Sequence, residues 1–204
     1  MKTLDIGFWT KKRQVVNNSY DFNEHWKEII EKFRVRIENY YFFPIDSIIA
    51  SNKLRGEGFT ILTIQCVLIE MFAAFKYGKI YKFDKRASDP NFTYRGSGDC
   101  LIPFLHSEEI FENHFYKFIN GDKKKDYPFS AMEFYKKVRC GLMHEAQTKG
   151  EWIVNAKKTY QDDDVIFITK DSEKNKISID RNILQKLLKI YFQDYLFNLS
   201  QESP

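Results

Sequence analysis

Apolar residues recur at helical spacing along most of the chain, with one stretch where the rhythm shortens to that of strands. From a cap at Asp21 or Asn23, the residues Trp26, Ile29, Ile30, Phe33 and Ile37 mark one face of an amphipathic helix reaching about Tyr41. Pro44 and Asp46 restart the chain, and Ile45, Ile48 and Ile49 form a short second piece that Arg55-Gly56-Glu57-Gly58 breaks. The almost wholly apolar run Gly58 to Phe75 predicts a helix from about Phe59 to Tyr77, with Gly78 as its stop. Residues 84–103 read as a loop, because Pro90, Gly96, Gly98 and Pro103 sit among polar residues. Ile110, Phe111, Phe115 and Phe118 keep the helical period from Glu108 to Ile119, and a polar turn follows from Asn120 to Asp126. Ser130 and Glu133 have capping-box spacing and open a further helix, Ala131 to Ala146. After Gly150, Trp152-Ile153-Val154, Val165-Ile166-Phe167-Ile168 and Ile177-Ser178-Ile179 predict a small antiparallel β ribbon near residues 152–180. Ile183, Leu184, Leu187, Leu188, Tyr191, Tyr195 and Leu196 return to an amphipathic C-terminal helix at 181–200. The pattern is that of a mainly α single domain over residues 1–204, a helical bundle with one β insertion and a basic N-terminal arm at 1–18.

Composition narrows the class. With 43% hydrophobic and 29% charged residues, the 204-residue chain can bury a core, which excludes a linker or a disordered segment. The 19 Phe and 12 Tyr suggest bulky packing, with a subunit interface as one outlet. A formal charge of +4 is too small to diagnose a nucleic-acid binder. Cys66, Cys100 and Cys140 are widely spaced and form no CxxC pair, which argues against a disulfide framework or a structural zinc site. The run from Gly58 to Phe75 is shorter than the roughly 20 residues of a membrane span and carries Gln65 and Glu70, so it reads as a buried central helix. With no apolar leader in MKTLDIGFWTKKRQ, the expectation is a cytoplasmic, reduced protein without a membrane segment.

Several chemistries find no support. Arg95-Gly96-Ser97-Gly98-Asp99 lacks both the GK[ST] ending and the preceding strand of a phosphate loop. His106 and His114, eight residues apart among Glu108, Glu109 and Glu112, would need further metal ligands from elsewhere, and a solvated acidic helix start explains them. Asp162-Asp163-Asp164 reads as a polar turn, and His25 beside Trp26 as a surface residue. No metal or cofactor site is expected.

The helix AMEFYKKVRCGLMHEA carries the sharpest pattern. At about 100° per residue, Ala131, Phe134, Tyr135, Val138 and Leu142 share a core stripe, and Arg139 and His144 flank a second face about 140° apart. Lys136, Cys140 and Met143 lie between them, and Gly141, a poor interior helix residue, permits another backbone to come close. A second helix or a second subunit would cover such a face. Glu70 in its apolar helix needs a partner or a solvated side. It either orients Arg139 or faces outward with Thr63, and the outward reading is the simpler. Glu145 is the other candidate partner for Arg139.

Arg139-Cys140-Gly141-Leu142-Met143-His144 resembles the Arg-x4-6-His signature of the HEPN superfamily, many of whose members are metal-independent ribonucleases of bacterial defence and toxin–antitoxin systems. The resemblance implies a HEPN-like four- to five-helix bundle and a homodimer in which two such helices bring two Arg–His pairs into one cleft. It implies RNA as substrate, catalysis by Arg139 and His144, and an antitoxin protein as a partner. Glu70 and Glu145 are the supporting candidates, and Lys136, Lys149 and Trp152 the candidates for contacting RNA. Active members often carry a polar residue directly after the arginine, where this chain has Cys140. That departure points to the alternative, a HEPN-like dimerisation or binding module without chemistry.

Overall fold

A computed structural model describes residues 7, 8, 10–12, 14, 22–51, 56–156, 161 and 163–201. Most of the expected basic arm at 1–18, together with Asp162, lies outside them. The fold is mainly helical, with small sheets. The backbone divides into two compact units, Met1–Pro44 with Ile190–Pro204, and Ile45–Lys189.

In the first unit, α1 (Phe22–Ile37) runs into a π-helical turn at Glu38–Phe42; α2 (Phe43–Ser51) starts there with Phe43 and Pro44, and from Ile45 onward it belongs to the second unit. Helix therefore continues through Pro44, where the sequence suggests a restart. Proline lacks an N–H and crowds the carbonyl four residues back, and a wider π turn beforehand relieves that crowding. The C-terminal part of the last helix completes this unit. Phe33 meets Phe192 and Tyr195 with ring centroids 5.6 and 6.4 Å apart, Phe42 meets Phe192 at 5.7 Å, and Trp26 Nε1 donates to the Leu199 carbonyl at 2.8 Å.

The second unit is built around α3 (Glu57–Lys76). Among the described residues it is the one helix long and apolar enough to cross a membrane. Here Ile61, Leu62, Cys66, Leu68, Ile69, Phe72 and Ala73 are buried, as a central core helix requires. Gly78, at φ +57°, ends it as expected, with the Lys79 amide returning to the Ala74 carbonyl at 2.8 Å. Buried Gln65 donates to the Arg181 carbonyl at 2.7 Å and to Gln185 Oε1 at 3.3 Å, and Gln185 in turn donates to Asp46 at 3.1 Å. This polar ladder fixes α3 against α7 (Arg181–Gln201), whose N-terminal part lies in this unit.

Three sequence expectations change. Strands β1 (Ile80–Tyr81) and β2 (Thr93–Tyr94) are brief, and the loop expected to reach residue 103 gives way to α4 (Gly98–Leu105). Burial of Cys100, Leu101, Phe104 and Leu105 outweighs the hydrogen bond that Pro103 cannot donate. The helix expected over Glu108–Ile119 is instead a 3-10 turn, Glu109–Phe111, followed by the hairpin β3 (Tyr116–Ile119) and β4 (Asp122–Lys125). Asn113 has φ +65°, which helix does not allow, and Asn120-Gly121, at φ +51° and +87°, makes the tight connection that joins antiparallel strands. The ribbon is a mixed sheet of β5 (Trp152–Asn155), β6 (Ile168–Asp171) and β7 (Lys176–Asp180), in the order β5-β7-β6. Its β6–β7 pair is antiparallel, but β5 lies parallel to β7, and Val165 and Ile166 stay outside it and exposed.

Much of the aromatic content is core. Phe104, Phe111, Phe115, Phe134 and Trp152 form a chain of edge-on contacts with centroids 5.2 to 6.1 Å apart. All five are at most 1% exposed.

Candidate functional site

The segment carrying Arg139 opens as the sequence predicts. Ser130 Oγ accepts from the Glu133 amide at 3.3 Å, and Asp126 adds a second cap by accepting from the Ala131 amide at 2.8 Å. It then departs from a regular helix, with α5 (Ala131–Glu133) passing into a π-helical stretch at Phe134–Arg139 before α6 (Cys140–Glu145). A π turn holds more residues than an α turn, so the 100° wheel loses its phase there. Arg139, placed by the wheel on the flank of a second face, is turned inward.

Its guanidinium donates from Nη2 to Glu70 Oε2 at 2.7 Å, and both side chains are largely buried, 15% and 17% exposed. Of the two partners open to Arg139, Glu70 is the one realised, and Glu70 does not face outward with Thr63. Glu145 pairs with Lys149 instead. The Tyr135 ring lies 6.0 Å from the guanidinium, and Tyr135 hydroxyl and Ser97 Oγ are hydrogen-bonded at 3.1 Å. Burial works against the charge on Arg139, but the hydrogen bond and negative charge of Glu70 outweigh it and hold the pKa above its ordinary value. Burial pushes the neighbouring Cys66 thiol up to about 12, and likewise the Tyr94 phenol, with the Glu70 charge contributing to both. Both stay protonated at neutral pH, so neither is a ready nucleophile. Cys140 is only partly buried, and all three cysteines are free.

His144 lies in the last turn of α6 and is exposed, a position where a cation is favourable toward the helix C-terminus. No hydrogen bond joins it to Arg139 within the chain. Directly after α6, Ala146 takes a left-handed conformation at φ +55° and the chain turns back on the helix. A Cβ on Gly141 would lie 2.5 Å from the Gln147 carbonyl oxygen, so the close backbone approach that this glycine permits is already made by its own chain. The Lys149 amide also donates to the Lys137 carbonyl at 2.9 Å.

Comparison of the chain with protein-family models, curated proteins and solved structures gives no match. The site therefore stands on its own geometry.

The remaining candidates separate. Lys136 is exposed, with no acid paired to it among the described residues, whereas Lys149 is engaged by Glu145. Trp152 is a correction. It is 1% exposed and packed against Phe129 and Phe134 with centroids 6.1 and 5.9 Å away, so core packing leaves it no face for a base. The two histidines weighed as metal ligands have unrelated roles. His106 Nε2 meets Asp126 at 3.0 Å, while buried His114 accepts the Phe167 amide at Nε2 at 3.1 Å. Burial lowers the His114 pKa to about 4, which keeps the ring neutral.

One surface escaped the sequence reading. The β3–β4 hairpin holds Lys117 and Lys124 over the Tyr127 ring at 4.1 and 4.7 Å, and Lys123 over Tyr116 at 3.7 Å, with Phe118 54% exposed beside them. No acid pairs with these lysines among the described residues. Asn120-Gly121 between two strand-like runs was the local signal for the hairpin, and Lys123-Lys124-Lys125 the signal for its charge.

Proposed function

We propose that the chain is a HEPN-like, metal-independent endoribonuclease acting as a homodimer in a bacterial defence or toxin–antitoxin system. The observation that carries this reading is the Arg139 guanidinium, paired with Glu70 of α3 and set directly before the short helix α6 that presents exposed His144. Glu70 engages only one nitrogen of the five-donor fork and so acts as a positioning residue, leaving other N–H groups to meet phosphate oxygens.

In this reading the RNA 2′-hydroxyl attacks the adjacent phosphorus. The new P–O2′ bond forms as the P–O5′ bond breaks, leaving a cyclic phosphate on one product and a 5′-hydroxyl on the other. His144 accepts the 2′ proton, and the partner subunit's His144 protonates the departing 5′ oxygen. Arg139 stabilises the charge that builds on the phosphorane oxygens. Acid, base and cation are all supplied by side chains. The lysine-rich hairpin and Lys136 add positive surface for the strand.

Purified protein incubated with single-stranded RNA in the presence of a chelator is expected to cleave it. His144→Ala is expected to lose that activity while keeping the parent's circular dichroism. Equal cleavage by both proteins would overturn the assignment. Two observations favour a second reading, a HEPN-like binding or dimerisation module without chemistry: the negative charge of Glu70 against Arg139, and Cys140 in the position after it. That module would retain RNA or a partner protein and leave the RNA intact.

A further inference from the structure

Between α3 and α4 the chain holds large apolar side chains out in water. Ile80, Tyr81, Phe83 and Phe92 are 60, 53, 73 and 50% exposed, and no other large apolar side chain among the described residues is as open as Phe83. The loop that carries them is braced. Lys79 Nζ donates to the Asn91 carbonyl at 2.6 Å, Lys82 pairs with Asp89 at 2.7 Å, and Lys85 donates to the Thr93 carbonyl at 2.6 Å. The Arg86 amide donates to Asp89 at 2.6 Å, and the short parallel pair β1–β2 joins the two ends. A backbone tied in this way keeps the rings outward, where a slack loop would let them collapse onto the surface.

Bracing occupies the lysines and leaves the arginines. Arg86 and Arg95 pair with no acid among the described residues, and the Arg95 guanidinium lies 5.8 Å from the Phe83 ring centroid. Residues 79–95 hold five basic side chains and two acidic ones, of which Asp89 is already engaged by Lys82. The loop also reaches the Arg139 pair. Tyr81 packs edge-on against buried Tyr94, with centroids 5.6 Å apart, and Tyr94 lies within reach of the Glu70 and Arg139 charges. Three residues on, Ser97 Oγ is hydrogen-bonded at 3.1 Å to the hydroxyl of Tyr135, whose ring lies 6.0 Å from the Arg139 guanidinium.

A ligand for this surface must bring flat apolar faces and negative charge together. Anionic lipid brings the charge, but would draw the exposed Asp84 carboxylate, next to Phe83, against its own headgroups. A second copy of the loop brings the same cationic surplus. A single strand of RNA supplies both needs, phosphates for the guanidinium forks and bases for the rings, since every base has a π face.

We propose that the loop at residues 79–95 is a stacking platform for single-stranded RNA, with bases laid on Phe83 and Phe92 and phosphates met by Arg86 and Arg95, leading the strand past Tyr81 toward Arg139. The choice of ligand rests on the RNA reading above, but not on cleavage. A binding module without chemistry would use the platform in the same way.

The test is fluorescence anisotropy of a short labelled single-stranded RNA, with chelator present and with the full chain carrying His144→Ala, so that the strand stays whole. Adding Phe83→Ala is expected to weaken binding by at least about fivefold, whereas Phe83→Trp keeps it. Phe83→Leu retains apolar bulk without a flat face, and should lose nearly as much as alanine. Arg95→Gln should weaken binding and make its salt dependence shallower. The same sequence as duplex RNA, whose bases are already stacked on one another, should bind more weakly. Circular dichroism checks the fold of each variant. Size-exclusion chromatography and sedimentation with phosphatidylserine-containing vesicles report on the other occupants. Unchanged RNA affinity in Phe83→Ala, full recovery by leucine, or no binding of single-stranded RNA would overturn the proposal. So would vesicle binding that Phe83→Ala abolishes, or a changed oligomeric state in that variant. If the parent leaves RNA intact while Phe83→Ala loses affinity, the cleavage reading falls and the platform stands. If the parent cleaves and Phe83→Ala binds undiminished, the platform falls and the cleavage reading stands.

Discussion

The two ends of α3 each set a glutamate against an arginine from a later helix, and the pairs are built differently. Glu70 and Arg139 meet at 2.7 Å in a hydrogen-bonded contact that leaves neither with a buried orphan atom. Glu57 and Arg181 are the more buried pair, 13% and 10% exposed, yet they stand 3.6 Å apart and each keeps an unpartnered atom. Burying charge is tolerated when hydrogen bonds replace the lost water, so the first pair is complete and the second carries buried atoms that no hydrogen bond satisfies. One is suited to hold a guanidinium still, whereas the other is held by charge without a hydrogen bond between its partners.

The largest effect should come from breaking the complete pair. Arg139→Met leaves Glu70 without its cation beside Cys66 and Tyr94, and is expected to cost about 3 kcal/mol in chemical denaturation. Adding Glu70→Leu should recover most of that loss, because the buried charge then disappears as well. An equal loss and equal recovery for Arg181→Met with Glu57→Leu would erase the distinction between the pairs.

These comparisons belong above pH 6.5, because His114 imposes an acid sensitivity of its own. Its folded pKa of about 4 lies below the ordinary 6.5, so between those values the unfolded chain binds a proton that the folded one refuses. Its contribution is fully present above pH 6.5 and is lost as pH falls toward 4, amounting to at most about 3 kcal/mol. His114→Gln keeps an acceptor for the Phe167 amide and should flatten this part of the stability profile. An unchanged slope in that variant would assign the acid sensitivity to other groups.

A smaller effect tests the turn that closes over the Arg139 helix. Gly141→Ala drives a methyl group against the Gln147 carbonyl, and should lower stability by about 2 kcal/mol. If stability is unchanged, the turn at residues 146–149 yields easily, and Gly141 becomes available to a partner helix after all.

The helical character of the chain was legible because burial follows the period, from Phe33 in α1 to Leu184 and Leu188 in α7. The Ser130 cap and the Gly78 stop were legible because each is a local hydrogen-bonding requirement. The inward turn of Arg139 was not, since it depends on a π-helical stretch that no hydrophobic wheel encodes and on Glu70, 69 positions earlier. The hairpin at Asn120-Gly121 was written locally, but the helical spacing of Phe111, Phe115 and Phe118 competed with it. That spacing misled because Phe111 reaches the core from a 3-10 turn and Phe115 from the turn that follows it, while Phe118 is exposed on β3. The Glu57–Arg181 pair joins residues 124 positions apart in the chain, beside the close packing of Gly58 against Val154, where an added Cβ would lie 3.0 Å from the valine Cγ1.

The smallest effect is the most discriminating. Glutamine keeps the shape of glutamate but loses its charge, so it separates a pair that depends on charged hydrogen bonding from one that does not yet use it. At Glu70 the change removes the carboxylate that accepts from Arg139, and should cost about 2 kcal/mol. At Glu57 the same change removes an unpartnered buried oxygen's charge, retains an acceptor for Ser51, and leaves Arg181 no worse hydrogen-bonded than before. Glu57→Gln should therefore shift stability by less than about 1 kcal/mol, measured by denaturation beside Glu70→Gln in the same buffer. A loss at Glu57 as large as that at Glu70 would mean that the 3.6 Å pair already carries its full electrostatic weight.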